Sequence, residues 1–285
     1  MLLTIDVGNT QTVIGMYQSD AAPPPDGGRS GPAQAGRQGR GAGGRGAETD
    51  LLHHWRLATV AERTPDEHAL LVAELLDLDG HRAEEVVTGI AVSSVVPRVT
   101  AALREMIVRR YDVFSVVVEP GVRTGMPILY DNPKEVGADR IANAVAAIDL
   151  YGGPCIVVDF GTATTLDAVS PKGEYLGGAI IPGIEISLDA LFERAAALRR
   201  VELVEPRHVI GRSTVESIQS GAIYGYVAQV DGLCRRMAAE VDPAATVVCT
   251  GGLGSFIARL CETIQYVEPW LTLHGLRLVY ERNLP

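Results

Sequence analysis

The sequence lacks any apolar run approaching the ~18 residues that a membrane-spanning helix needs. Met1 leads directly into Leu2-Leu3-Thr4-Ile5-Asp6 with no basic region ahead of it, so neither a membrane span nor a secretory leader is expected. Cysteine is scarce: Cys155, Cys234, Cys249 and Cys261 are widely spaced, without a C-x-x-C pair or an accompanying histidine pattern. That spacing argues against a zinc or disulfide framework and points to reduced thiols in a cytoplasmic protein. Positive charge is also short, the formal net charge being -10. General binding to nucleic acid or to an anionic membrane is therefore not expected, because both surfaces select Lys and Arg. Any phosphate bound here must be held locally, by backbone N–H groups, a few side chains and a metal ion.

What is present is enough apolar material for a large core: 47% of 285 residues. At about 100–200 residues per domain this length predicts two domains, which naturally enclose a cleft. The division is expected near residue 150, giving units 1–150 and 151–285. Strand patterns open the chain at 2–6, 12–17 and 51–58 and read as an antiparallel meander. Between the second and third lies 19–49, dominated by Gly, Pro, Ala, Arg and Gln, with too few large apolar residues to offset the entropy of ordering. A disordered, locally basic loop is expected there. A helix over 65–78, capped by Thr64, is followed by a strand at 86–94, a helix at 99–110, a strand at 115–119 and a helix at 138–150. The pattern then restarts with strands at 155–159, 165–170 and 175–181. Helices at 184–194 and 214–241, a strand at 246–249, a glycine-rich turn and a helix from Ser255 follow. The end, 265–267 followed by a short helix near Val279, is less legible.

Two segments repeat one another. Ile5-Asp6-Val7-Gly8-Asn9-Thr10-Gln11-Thr12 and Val158-Asp159-Phe160-Gly161-Thr162-Ala163-Thr164-Thr165 both read apolar-Asp-apolar-Gly-polar at the end of a first strand, which points to an internal duplication. Each offers a carboxylate for a cation, a glycine that lets backbone N–H groups approach a phosphate, and short polar side chains as further donors. Alone, Gly8-Asn9 is equally a hairpin turn. A third turn, Thr250-Gly251-Gly252-Leu253-Gly254-Ser255, follows an apolar strand and precedes a helix, and serves either an adenosine phosphate site or tight strand-to-helix packing. In Tyr130-Asp131-Asn132-Pro133-Lys134-Glu135-Val136-Gly137-Ala138-Asp139-Arg140 an acid and a base stand together where a loop becomes a helix. Asp139 can be a helix cap. It can also accept the proton of an alcohol during phosphoryl transfer while Arg140 holds an acidic substrate.

The three turns in this order resemble the acetate-kinase, sugar-kinase, heat-shock ATPase and actin superfamily, which implies an α/β fold of two ribonuclease-H-like domains with ATP between them. The resemblance narrows to the type III pantothenate kinases through Asp6-Val7-Gly8-Asn9-Thr10, Tyr130 to Arg140, Asp159 to Thr165, Gly177-Gly178, Ile181-Pro182-Gly183, Gly211-Arg212-Ser213-Thr214 and Ser220-Gly221. It implies that Asp6, Val7, Gly8, Asn9, Thr10, Gln11, Thr12 and Val13 bind ATP with Thr162. By the same resemblance Asp139 is the proton acceptor, Tyr130, Gly137, Ala138, Asp139, Arg140 and Thr214 contact pantothenate, and Asp159 holds a monovalent cation, potassium or ammonium. The implied activity is ATP-dependent phosphorylation of pantothenate, the first step of coenzyme A synthesis, with magnesium, in a cytoplasmic homodimer. The chain departs from the family pattern in the long 19–49 segment and in Arg212 and Ser213, where Lys and Asn are expected. Two other readings stay open: a kinase for another polyol or sugar acid on the same scaffold, and a ligand-binding regulator without turnover. His53-His54 on a strand should point to opposite faces, and Ser93-Ser94 with Arg98 are candidates for lining a substrate pocket.

Overall fold

Leu2–Val7 is apolar at four of its six positions and buried at all but Asp6, the signature of a central strand covered on both faces. In a computed structural model, which describes residues 1–18, 50–195 and 198–285, it forms β1. The 19–49 segment expected to be disordered lies outside the described residues. β2 (Gln11–Tyr17) and β3 (Leu51–Ala58) extend one side of β1 as an antiparallel meander. On the other side β4 (Gly89–Ser94) and β5 (Phe114–Val117) run parallel to it, giving the order β3-β2-β1-β4-β5.

The second sheet repeats this plan. β6 (Cys155–Phe160), β7 (Ala163–Val169) and β8 (Tyr175–Pro182) form the meander, while β9 (Thr246–Gly251) and β10 (Tyr266–Val267) add in parallel. Its order, β10-β9-β6-β7-β8, is that of the first sheet read from the other edge. The duplication seen in the two Asp-Gly segments therefore extends to ten strands.

The helices are α1 (Pro65–Leu78), α2 (Ala83–Val86), α3 (Pro97–Met106), α4 (Ala138–Tyr151), α5 (Ile184–Arg194), α6 (Thr214–Val241), α7 (Gly254–Ala258) and α8 (Leu271–Asn283). α1 starts where its sequence dictates: the Thr64 hydroxyl accepts from the Glu67 amide, the Glu67 carboxylate accepts from the Thr64 amide at 2.7 Å, and Pro65 fills the first helical position. α1 and α3 cover one face of the first sheet. α4 and α8 lie on its other face, and their apolar side chains share one core with Cys155, Val157, Val169 and Tyr175 of the second sheet. The two helices are thus the common wall between the sheets.

Three local expectations are corrected. Val86 ends the short α2 and the strand begins at Gly89, because the run Val86-Val87 is apolar in either conformation and periodicity cannot separate them. The helix expected over 99–110 begins earlier, at Pro97, and its α-helical part stops at Met106; a single π-type turn, Ile107–Tyr111, leads to Asp112 in the left-handed region at φ 47°. The short helix expected near Val279 is the thirteen-residue α8.

Candidate functional site

The register places each acidic residue of the repeated segments at the same point in its sheet. Asp6 on β1 stands opposite Val13 on β2 and Ser93 on β4, and Asp159 on β6 stands opposite Thr165 on β7 and Thr250 on β9. Each carboxylate has a hydroxyl residue beside it on the parallel strand, and Ser93 donates directly to Asp6. Beyond them the chain turns sharply. The Gly8 amide donates to the Gln11 carbonyl at 2.9 Å and the Gly161 amide to the Ala163 carbonyl at 3.1 Å. The Thr59 hydroxyl donates to the Gly8 carbonyl at 2.8 Å, bracing the first loop from the residue that follows β3. The two loops touch: the hydroxyls of Thr10 and Thr162 are 2.9 Å apart and share a hydrogen bond.

Around that contact lies a cleft of about 390 Å³. Of the residues expected to bind nucleotide, Asp6, Gly8, Asn9, Thr10, Gln11, Val13 and Thr162 line it, together with Asp139 and Asp159. Val7 and Thr12 turn the other way, as strand alternation requires: Val7 sits in the apolar core under α1 and α3, and the buried Thr12 pairs with Thr59. The third glycine turn also reaches the cleft through Thr250, Gly251, Gly252 and Leu253. Gly251 has φ 92° and no room for a side chain, since a Cβ would lie 2.6 Å from the Asp159 carboxylate. Opposite, the first amide of α5, that of its cap Gly183, donates to the Thr162 carbonyl at 3.0 Å.

Asp139 enters from α4, as the second helical residue after the cap Gly137. Its Oδ1 accepts from the Arg140 amide at 2.8 Å, so it serves the first turn from inside the helix and does not occupy the cap position. One turn further on, Asn143 is fully buried; its Nδ2 donates to Asp159 at 3.0 Å and its Oδ1 accepts from Thr272 of α8 at 2.7 Å. Burial pushes the Asp6 carboxyl up to about 7, with repulsion from Asp139 and Asp159 adding to it against the Ser93 hydrogen bond. Burial likewise raises Asp159 to about 7, with Asp139 contributing, and burial raises Asp139 too. Such a set of oxygen ligands with excess negative charge suits a hard cation. Among the described residues no three His, Cys, Asp or Glu side chains form a ready-made cage. An ion here would complete its shell from phosphate oxygens and water, as magnesium characteristically does.

The remaining expected substrate residues fall into two places. Gly137 and Ala138 form the half-buried start of α4. Beside them Arg140 is buried against Asp167, its Nε donating at 2.8 Å and its Nη2 lying 2.6 Å from the same carboxylate oxygen. The Tyr175 hydroxyl donates to that oxygen at 2.6 Å, and the half-buried Tyr130 lies with its ring 6.4 Å from that of Tyr175. Tyr130 packs over Gly177, where a Cβ would be 3.3 Å from its ring. Thr214, the first residue of α6, is exposed and does not line the cleft. Arg98 is 3.8 Å from Glu62 on the surface, whereas Ser93 is at the site through Asp6. His53 faces Asp79, with Nδ1 at 3.4 Å, while His54 stacks on Trp270 across the strand.

Sequence reasoning missed Asn143, Asp167, Thr272 and Arg56. Asn143 carried a readable signal, being a lone polar residue in the Ile141 to Ala147 run, four positions after Asp139 and so on the same helix face. Asp167 likewise interrupts an apolar strand. Thr272 and Arg56 carried none, because their neighbours come from distant parts of the chain.

The sequence profile of the type III pantothenate kinases matches residues 42–236. A Streptomyces avermitilis protein named type III pantothenate kinase is 52% identical over 291 residues, covering 100% of this chain and 99% of the relative. Among solved structures, a Baf family protein from Campylobacter jejuni superposes with a TM-score of 0.57 at 18% identity, covering 99% of this chain and 98% of the other. An inorganic polyphosphate/ATP-glucomannokinase from Arthrobacter sp. strain KM gives a TM-score of 0.50 at 13% identity, covering 99% of each chain. Those two likenesses concern the fold, which is the two-domain architecture of sugar kinases and actin-like ATPases.

Proposed function

The chain belongs to the type III pantothenate kinase family, and we propose that it transfers the γ-phosphoryl group of ATP to the primary hydroxyl of pantothenate with Asp139 as the proton acceptor. The observation that carries this reading is the hydrogen bond between Thr10 and Thr162, because it brings two phosphate-cradling loops to one point within reach of a third carboxylate. Phosphoryl transfer asks little covalent chemistry of a protein; positioning and charge stabilisation do most of the work. The amides and hydroxyls of Gly8 to Gln11 and Gly161 to Thr162 supply donors for the phosphate tail. Asp139 is made more basic by burial, which suits it to take the hydroxyl proton as the oxygen attacks. Arg140, with Asp167 holding one edge of its guanidinium, directs its remaining N–H donors toward the substrate carboxylate, with Tyr130 alongside.

Magnesium bound with ATP would supply positive charge against the negative charge that develops on the transferring phosphate. Asp6 and Asp159 are the residues to hold metal, and we assign Asp159 to a monovalent cation. Burial raises its pKa, as it does that of Asp6, so a counter-charge beside it would favour the ionised form.

The finer features belong to the same proposal. The chain divides into two units near residue 150, with α8 returning to the first. The protein forms a homodimer in the cytoplasm, using the exposed apolar residues Ile180, Ile186, Val209, Ile210 and Val215. Thr214 stands beside that surface and reaches substrate in the second copy. No helix among the described residues is long and apolar enough to cross a membrane.

A coupled ADP-release assay tests the reaction. Pantothenate-dependent release is expected, rising when potassium is supplied, and Asp139→Asn is expected to lose about 10²–10⁴ in kcat, the usual worth of a general base. Full activity in Asp139→Asn would remove Asp139 from its role. Absence of pantothenate-dependent release in the parent protein would remove the function itself.

A further inference from the structure

The charge of the cleft is one-sided. Its lining carries four carboxylates, Asp6, Asp139, Asp159 and Glu185, and one basic side chain among the described residues, Arg56. A triphosphate brings several more negative charges into that space. The two Asp-led loops answer with amides and hydroxyls, which carry partial charge only.

Arg56 belongs to none of the sequence motifs. It sits on β3 opposite Val13, two residues from Ala58, which pairs with Gln11 at the end of the first loop. At a rise of about 3.3 Å per residue its Cα is roughly 7 Å from that loop, a gap that an arginine side chain spans. Its neighbours Trp55 and Leu57 pack into the core under α1 and α3, so alternation turns Arg56 and His54 to the cleft side. There both meet Trp270, the residue preceding α8. The His54 ring stacks on the indole at 3.9 Å between centroids, and the Arg56 Cζ lies 5.8 Å from the same ring. Two residues further on, Thr272 donates to Asn143, which in turn donates to Asp159. The element that props the guanidinium therefore also braces the proposed cation ligand. Among the described residues the Arg56 guanidinium faces the indole and is paired with no carboxylate, so its N–H donors stay available.

We infer that Arg56 is a phosphate-binding residue of this kinase, its guanidinium laid against Trp270 and presented to the phosphate tail of ATP. The inference rests on ATP being the nucleotide, as proposed above, and not on the identity of the acceptor alcohol. An arginine that merely decorates a solvated rim would leave nucleotide affinity unchanged, and the two roles separate by experiment.

The full-length chain and its Arg56→Gln and Arg56→Lys variants are compared, with Arg82→Gln as a control that removes the same charge from an exposed site near α2. Binding of the non-hydrolysable analogue AMPPNP with magnesium is measured by calorimetry without pantothenate, and KM values are measured for both substrates. Arg56→Gln is expected to weaken AMPPNP and raise the KM for ATP by about tenfold or more, the scale of a charge-assisted hydrogen bond. The KM for pantothenate should stay within about twofold, because a binding contact to one substrate need not touch the other. Arg56→Lys should recover part of the affinity, and Arg82→Gln should lose none. AMPPNP affinity in Arg56→Gln equal to that of the parent overturns the inference, as does an equal loss in Arg82→Gln. If the parent shows no pantothenate-dependent ADP release while Arg56→Gln still loses AMPPNP affinity, the proposed reaction fails and the phosphate contact stands.

Discussion

At the scale of single residues, the position of Asp139 is set by the one before its neighbour. A Cβ built on Gly137 would lie 2.4 Å from Asp139 Oδ1, closer than any real contact, so Gly137→Ala must displace the carboxylate or the helix start. Catalysis is sensitive to such shifts, a misplacement of about 1 Å costing about 10²-fold. Gly137→Ala is therefore expected to lower kcat by about that factor while its urea midpoint changes little; unaltered kcat would mean that Asp139 does not act where it is placed. Asp159 yields a prediction about pH. Its carboxyl titrates near 7 in the folded chain, raised first by burial, against an ordinary 3.8. Between those values the folded state holds more protons than the unfolded state, so this residue makes stability fall as pH rises through the window. Asp159→Asn removes that effect. The variant's stability advantage over the nucleotide-free parent should be small near about pH 4, grow with pH and level off above about pH 7. Urea titrations across the window measure it, and a gap independent of pH would contradict it. Asp6, Asp139 and Asp159 were legible in the sequence because each stands next to a glycine turn or a helix start, where local pattern carries information. Asp167 showed only as an acid within an apolar strand, without its partner, and Arg56 not at all, since a buried ion pair and a cleft-facing guanidinium are defined by strands and helices far away in the chain.

At the scale of elements, α8 shows most clearly why part of the fold was hidden. Leu271, Leu273, His274, Leu276, Leu278, Val279 and Tyr280 are all buried, and the polar side narrows to a line through Arg277 and Glu281, so the helical period stands out weakly from the apolar run. The opposite held for α1, whose capping box announced its first residue. Burial on most sides is possible because α8 crosses α4 at Gly275, where a Cβ would lie 1.9 Å from the Ala142 carbonyl oxygen. Two effects then compete in Gly275→Ala. Replacing a helical glycine with alanine ordinarily stabilises by about 1 kcal/mol. Forcing two backbones apart in a packed core costs typically about 1–3 kcal/mol, and here the obstacle is main chain that cannot rotate away. Net destabilisation is expected, read as a lower urea midpoint. Gly232→Ala in α6, where nothing lies within 4 Å of the added Cβ, should instead raise the midpoint, by about 0.5–1 kcal/mol of stability. If both variants move the same way, close helix packing is not what selects Gly275.

At the scale of the whole molecule, the duplicated strand plan was legible because its two copies keep the same Asp-Gly turn, and turns leave stronger sequence marks than pairings between distant strands. Nothing local marked the return of α8 to the first sheet, which makes α4 and α8 the shared wall of both halves. The surface holds the last consequence. Ile210 is 82% exposed and Ile180 62%, with Val209 at 66% and Val215 at 49%; these large apolar residues on β8 and at the entry to α6 are what the proposed dimer interface would cover. A stable dimer buries about 1,200–2,000 Å² in total, and a charge placed in the middle of such an area is left without water or partner. The double variant Ile180→Asp with Ile210→Asp is therefore expected to sediment as a monomer at concentrations where the parent sediments as a dimer. Because Thr214 begins α6 beside this surface and away from its own cleft, the same variant should raise the KM for pantothenate more than the KM for ATP. A parent that is monomeric, or a variant that still dimerises, rejects the interface; a monomeric variant with an unchanged KM for pantothenate keeps the interface and removes Thr214 from the substrate site.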